Sequence, residues 1–505
     1  MSGQESNWGG GYVTDVEYTT GYFVTQSPQL LALACLVNGI AVDPPWDGRP
    51  LHYLELGAGR GVNACVLAAA NPGWRVTGID FMPGAVADAR RLAAEAGLDN
   101  VAFIEADLSD FAESPAAAAL PEADIISAHG VWSWVADPVR AGIVRLAAGK
   151  LRAGGLLHVS YNALPAQQNL LALQRILREA GRRLAGRSDR QVLAGREVAQ
   201  ALAEAGAQHL TNNPLVREVM GDLGDMPVAY LSHEYMNEAW RPCFHADVAT
   251  ALAPARLDYA GSAKLLENFT ELMLTPAQRA IHDRFDDPLM RELVIDTSIT
   301  RALRHDVYVR GATRLSNAAR DAALGQVRLA LATAPEAFRF VLKLPAGEAT
   351  LPEASYRPMV EALAGGPRSI AELAALRPGD ANPAEIAMAL AGTFQALVAG
   401  DAAAGPAERI HRFNRAMARR SARADTMNAP SAMASRRIGA GIPARAAEVL
   451  VASEIGLSGT VPDPAAMAGA LLPEGGEAAR AELAGTLAMV LRDRLAVWQR
   501  LGVVG

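Results

Sequence analysis

Hydrophobic and polar positions along the first 165 residues fall into blocks that alternate between two periods. Short apolar runs at 52–56, 75–80, 101–106, 124–128 and 156–160 read as strands. The first three end at a glycine cluster or an aspartate. Between them, 61–70 is helix-like and closes at Asn71-Pro72-Gly73; 83–97 is helix-like too, with Pro83 in its first turn and Gly97 as its stop. Strands separated by helices predict right-handed crossovers and a mostly parallel, doubly wound α/β sheet. From 167 to 228 the pattern becomes amphipathic helix, with Leu170, Leu171, Leu173, Ile176 and Leu177 on one face. β-like runs return at 257–260 and 306–310. They predict a return to the edge of the first sheet, which makes 167–228 a helical insert. Beyond about residue 317 the chain is alanine- and leucine-rich helix, and the arginine-rich stretch 412–437 reads as a linker or a solvated face.

Composition narrows the function. Forty-seven Lys+Arg against 54 Asp+Glu give a net charge of -7, which disfavours a nucleic-acid surface. Cys35, Cys65 and Cys243 are widely spaced and odd in number, so a reducing, cytoplasmic setting is expected rather than a disulfide framework. The N-terminus has no cationic start followed by an apolar core, and no run reaches the ~18–20 apolar residues of a membrane span. Neither a signal peptide nor a span is expected.

The segment Glu55-Leu56-Gly57-Ala58-Gly59-Arg60-Gly61 follows the first strand and opens the first helix, where open α/β sheets bind nucleotide-like ligands. A glycine loop alone serves several cofactors. Here Val62 stands where a dinucleotide fingerprint wants Gly or Ala. Glu55 would repel a pyrophosphate but suits a ligand carrying an ammonium and a sulfonium. Both details favour S-adenosyl-L-methionine over a nicotinamide cofactor. Asp80, closing the second strand, is placed for the two ribose hydroxyls, and Phe81 and Met82 for a wall of the adenine. Asp107, with Leu108 after it, is placed for the adenine amino group.

The glycine loop with Asp80 and Asp107 resembles a class I S-adenosylmethionine-dependent methyltransferase. Three further stretches resemble the bacterial subgroup that carries a methyltransferase regulatory domain: Tyr18-Thr19-Thr20-Gly21-Tyr22-Phe23, His129-Gly130-Val131-Trp132-Ser133-Trp134-Val135, and Ser160-Tyr161-Asn162-Ala163-Leu164-Pro165. That subgroup includes lysine methyltransferases acting on outer-membrane proteins. The chain departs from it at Ala166-Gln167, where the subgroup commonly has Gly-Trp. The resemblance covers most of residues 10–315, and the chain is expected to divide into a Rossmann-like methyltransferase domain at 1–315, a helical, winged-helix-like regulatory domain at 316–400 (from the pattern at 369–398), and a helical region at 401–505. The resemblance implies a methyl acceptor with nucleophilic N or O: protein lysine, or alternatively a small molecule, with a catalytically silent donor-binding protein as a third reading. A homodimer through the C-terminal region is compatible with it.

Methyl transfer needs a positioned donor, excluded water and a neutral nucleophile. His129 is the candidate proton acceptor, with the alternative that it braces its loop. Tyr161 and Asn162 are the candidates to orient an amine or hydroxyl. Trp132 and Trp134 are candidates either for caging an alkylammonium or for core packing, and Tyr18 and Tyr22 for a lid over the donor. No metal is expected, because His233-Glu234 begins an H-E-x-x-H motif that fails at Asn237, and Cys243 and His245 lack ligand spacing.

Overall fold

The structure, a computed structural model, describes residues 9–17, 21–45, 47–183, 186–377, 379, 381–400, 406–424 and 426–505. Seven strands form one sheet: β1 (His52–Leu56), β2 (Arg75–Asp80), β3 (Val101–Glu105), β4 (Ala123–Ala128), β5 (Leu151–Asn162), β6 (Leu257–Ser262) and β7 (Leu303–Arg310). Their order is β3-β2-β1-β4-β5-β7-β6. The first five run parallel, and β7 enters antiparallel between β5 and β6. The strand order reverses beside β1, so the C-terminal ends of β1 and β4 frame a crevice, the place where such sheets hold ligands.

Three helices bring the glycine loop to that crevice: α1 (Pro28–Val37), α2 (Val62–Ala70) and α3 (Pro83–Glu95). Every residue of α1 and α2 is buried. A helix that is apolar all round needs cover on all sides. For α2 the second layer is the antiparallel hairpin Pro430–Ser435/Ala440–Arg445, with helix Ala407–Ser421 beside it. Gly441 of the hairpin permits this approach: a Cβ there would lie 2.6 Å from Val66 Cγ1 of α2. Gln29 Nε2 and Asn71 Nδ2 both donate to the Gly439 carbonyl, at 3.0 and 2.7 Å. Part of the arginine-rich stretch is thus packed, while Arg412, Arg419 and Arg423 stay exposed. Arg409 pairs with Asp99 at 3.0 Å and Arg420 with the buried Asp88 at 3.0 Å, and one hydrophobic core runs through both halves of the chain.

Between β5 and β6, helices Leu171–Gly181, Ser188–Glu204 and Val228–Met236 form a separate small core around Leu173, Leu177, Val192, Ala199 and Leu231. Its first two helices touch at glycines, since a Cβ at Gly195 would meet the Leu177 carbonyl at 2.2 Å. The C-terminal region is mainly helical. It adds a three-stranded sheet of Arg328–Leu331, Arg368–Ser369 and Ala396–Val398 beside helices Ile370–Ala374 and Pro383–Ala391. Among the described residues, no helix is long and apolar enough to cross a membrane.

Candidate active site

Gly57, Gly59 and Gly61 all have positive φ, at 69°, 51° and 73°. A side chain at Gly57 would strike Val131, and one at Gly61 would strike Ala89 and Phe103, whereas a Cβ at Gly59 meets nothing within 4 Å. The outer glycines therefore fold the loop, and the middle one leaves open space beside backbone N–H groups. Gly59 N–H donates to Asp80 Oδ2 at 2.7 Å and Met82 N–H to Asp80 Oδ1 at 2.9 Å, so the acid at the end of β2 holds the loop and the start of α3 together. Burial raises the Asp80 carboxyl, and the backbone N–H groups of Met82, Gly59 and Phe81 oppose that rise.

Glu55 is buried beneath the loop. Its Oε1 accepts from Asn63 Nδ2 at 3.1 Å, while Oε2 has no partner. Desolvation pushes this carboxyl up to about 8, against the hydrogen bonds from Asn63 and Ala64. A buried carboxylate oxygen without a donor, beside a loop with open space at Gly59, suits a cationic ligand. These residues fit an adenosyl sulfonium donor in their chemistry, a buried carboxylate and open space beside backbone N–H groups. Phe81 and Met82 are half-buried at the end of β2. Asp107 follows β3, exposed, with Oδ1 accepting from Ser109 N–H at 2.8 Å, and Leu108 beside it is buried.

Segment 9–17 lies across this pocket. Tyr12 packs edge-on to Phe81, with ring centroids 5.7 Å apart, and also contacts His233 at 5.5 Å. Glu17 pairs with Arg60 of the glycine loop at 2.9 Å, and His233 Nε2 bonds the Val16 carbonyl at 2.8 Å. Val13 and Val16 join the core of the insert. The strap ties the donor loop to the insert, just before Tyr18 and Tyr22 in the chain, the residues expected to form a lid over the donor. Tyr18 lies outside the described residues. Tyr22 is buried against the C-terminal hairpin, where a Cβ at Gly441 would sit 2.9 Å from its ring.

The remaining candidates separate by strand parity, because successive side chains on a strand face opposite sides. Ser160 Oγ bonds both His129 Nδ1 (2.9 Å) and Gly130 N–H (2.8 Å), bracing the loop after β4. Burial, and to a lesser degree Lys264, lowers the His129 imidazole to about 4. Asn162 Oδ1 accepts from Trp240 Nε1 at 3.0 Å, and Trp240 stacks with Trp134 at 6.1 Å and 29°. Asn237, at the end of helix Val228–Met236, donates to the Trp134 carbonyl at 3.2 Å. Tyr161 is not brought to this group. It lies on the other side of the sheet, fully buried, with its hydroxyl donating to Asp306 at 2.5 Å. Trp132 is buried in that same core, and its carbonyl takes the Arg140 side chain at 2.8 Å. Sequence reasoning missed Asn63, Tyr12, Trp240 and Glu234. Burial raises the Glu234 carboxyl to about 7.

Two family models match the chain: a methyltransferase domain over residues 54–157 and a predicted methyltransferase regulatory domain over 227–310. A protein of Synechocystis sp., sll1526, is 32% identical over 366 residues, covering 72% of this chain and 71% of that protein. RP789 of Rickettsia prowazekii is 27% identical over 151 residues, 30% of this chain and 26% of that protein. The solved structure of PKMT2 from Rickettsia typhi in complex with AdoHcy has the same fold. Its TM-score is 0.70 at 16% identity, and the match covers 96% of this chain and 99% of that one. The strand order, the glycine loop and these matches agree: the chain belongs to the bacterial class I S-adenosylmethionine-dependent methyltransferases that carry a methyltransferase regulatory domain.

Proposed function

We propose that the enzyme methylates the side-chain amine of protein lysine. The observation that supports this most is the Trp134–Trp240 pair with Asn162 at the C-terminal ends of β4 and β5. Stacked indoles attract an alkylammonium by cation–π interaction, and such a site keeps its hold as methyl groups accumulate. The resemblance to outer-membrane-protein lysine methyltransferases points the same way, and PKMT2, which shares the fold, was solved with the demethylated donor.

When bound, S-adenosylmethionine supplies a sulfonium methyl that an unprotonated amine takes by in-line displacement, with breakage of S–C, formation of N–C and release of one proton. The chain's residues have three tasks. Glu55, Asp80 and the glycine loop hold the donor, Asp107 and Leu108 bound its adenine side, and the 9–17 strap excludes water. Glu234 takes the amine's proton. It stands one helical turn before Asn237, the residue that fixes Trp134, and its value of about 7 matches a general base at neutral pH. His129 braces its loop, because an imidazole lowered to about 4 is a poor base for an ammonium. Choice of acceptor and self-association fall to residues 316–505, and buried free cysteines fit a cytoplasmic setting.

Transfer of labelled methyl groups in lysate is expected to mark protein, at lysine. Trp240→Ala raises KM for the protein acceptor at least about tenfold with donor affinity unchanged. Glu234→Gln lowers kcat and removes the acid limb of its pH profile. Label found only in small molecules overturns the lysine reading, and an unchanged pH profile removes Glu234 from it.

A further inference from the structure

His129 after β4, His158 within β5 and His305 within β7 converge beneath segment 22–25. One nitrogen from each lies within 4.8 Å of the other two. Their ring planes differ by only 12–22°, and the centroids stand 5.4, 5.8 and 6.0 Å apart.

The outward nitrogens are already oriented. His129 Nδ1 bonds Ser160 Oγ at 2.9 Å, and His158 Nδ1 bonds Ser127 Oγ at 3.0 Å. Ser127 gives its own proton to Gln26 Oε1 at 3.1 Å, so the bond to His158 runs from the ring N–H and leaves Nε2 as a bare acceptor. His158 Nε2 and His305 Nδ1 are both buried without a partner. Buried nitrogens in that state call for a ligand. Burial holds all three rings neutral, with each lone pair available. His305 also lines a cavity of about 490 Å³ together with Tyr22, Phe23, Val24 and Thr25, which leaves room for a further ligand.

We propose that His129, His158 and His305 form a three-histidine site for a divalent ion of the Zn²⁺ class, with its fourth position open to this cavity. All-imidazole donors suit zinc, cobalt, nickel and copper rather than calcium or magnesium. Ser127 and Ser160 orient two of the ligands from behind. The buried Asp306 on the far side of β7 favours a cation here, and the Lys264 ammonium opposes one.

Full-length protein stripped with chelator and titrated with Zn²⁺ is expected to take up one ion per chain. X-ray absorption at the zinc edge is expected to read three imidazoles and one lighter ligand. His158→Gln and His305→Gln each weaken binding at least about 100-fold, and Ser127→Ala about 10- to 100-fold, as losses of ligand and supporting group do. Lys264→Met tightens binding, and His209→Ala, at an exposed histidine elsewhere, leaves it unchanged. No tight ion at one per chain, or an absorption spectrum without three imidazoles, overturns the site, and the wild-type spectrum decides even where a variant fails to fold. Donor binding measured on the same stripped protein keeps this test separate from the methyltransferase reading.

Discussion

Strand β7 presents two opposite environments on alternate residues. On one side of the sheet Arg304 is fully buried and saturated with anions: Asp296 at 2.7 Å, Glu292 at 2.8 Å and Asp306 at 2.9 Å. Burial alone would raise the Asp306 carboxyl, but Arg304 and His245 hold it far below the usual carboxylate range. On the other side His305 meets His129 and His158, with no formal charge and with nitrogens left over. The first environment is closed upon itself and the second is open. On the charged side Arg304 itself is fully partnered and the buried atoms left over, Arg301 Nε and Nη2, lie beside Glu267, Glu292 and Asp296, whereas the bare nitrogens of His158 and His305 face other neutral rings.

The sharpest way to break this contrast is Arg304→Met. It takes from Asp296 and Asp306 their shared guanidinium, leaving Asp296 with Arg301 and Asp306 with His245 and Tyr161, and is expected to cost about 3–5 kcal/mol in denaturant unfolding followed by circular dichroism. A loss below about 1 kcal/mol would mean that the charged side is not structural. An intermediate effect is expected at Glu55, which shares the open side of the sheet with His158. A cationic donor prefers the carboxylate, so donor affinity measured by calorimetry rises about tenfold between pH 7 and pH 9, as follows from a value of about 8. Binding at pH 7 releases protons to the buffer, and Glu55→Gln flattens the profile. The same group works against the fold as pH rises. From its ordinary 4.5 up to about 8 the folded chain keeps a proton that the unfolded chain gives up, so this contribution to stability declines across that window. The smallest effect is expected from His158→Leu in chelator-treated protein. One hydrogen bond goes and one unsatisfied nitrogen goes with it, so stability changes by less than about 1.5 kcal/mol. A loss as large as that at Arg304 would erase the difference between the two sides.

The donor half of the site was legible because its signals are local. An apolar run that stops at Glu55-Leu56-Gly57, and another that stops at Asp80, place strand ends and their acids without knowledge of the rest. The histidine group was not legible. Ser160 stands opposite His305 only because β7 runs antiparallel to β5 in one register, and hydropathy does not specify that register. The three histidines come from the loop after β4 and from β5 and β7, so no local ligand spacing in the sequence joins them. Tyr161 was a different kind of miss. It is adjacent to Asn162 on a strand, so the period of two already required one of them to face away. Arg420 of the 412–437 stretch looked solvated because its partner Asp88 lies more than 300 residues away.

The cover over α1 and α2 has a consequence for synthesis. The contacts that seal them join residues 368 and 410 positions apart, Asn71 and Gln29 to the Gly439 carbonyl. At a translation rate of roughly 5–20 residues per second, the first two apolar helices spend roughly 20 to 80 s outside the ribosome before their outer layer exists. Nascent chains therefore expose these apolar helix faces over most of their elongation. A fragment that stops near residue 315 would hold them in that state permanently.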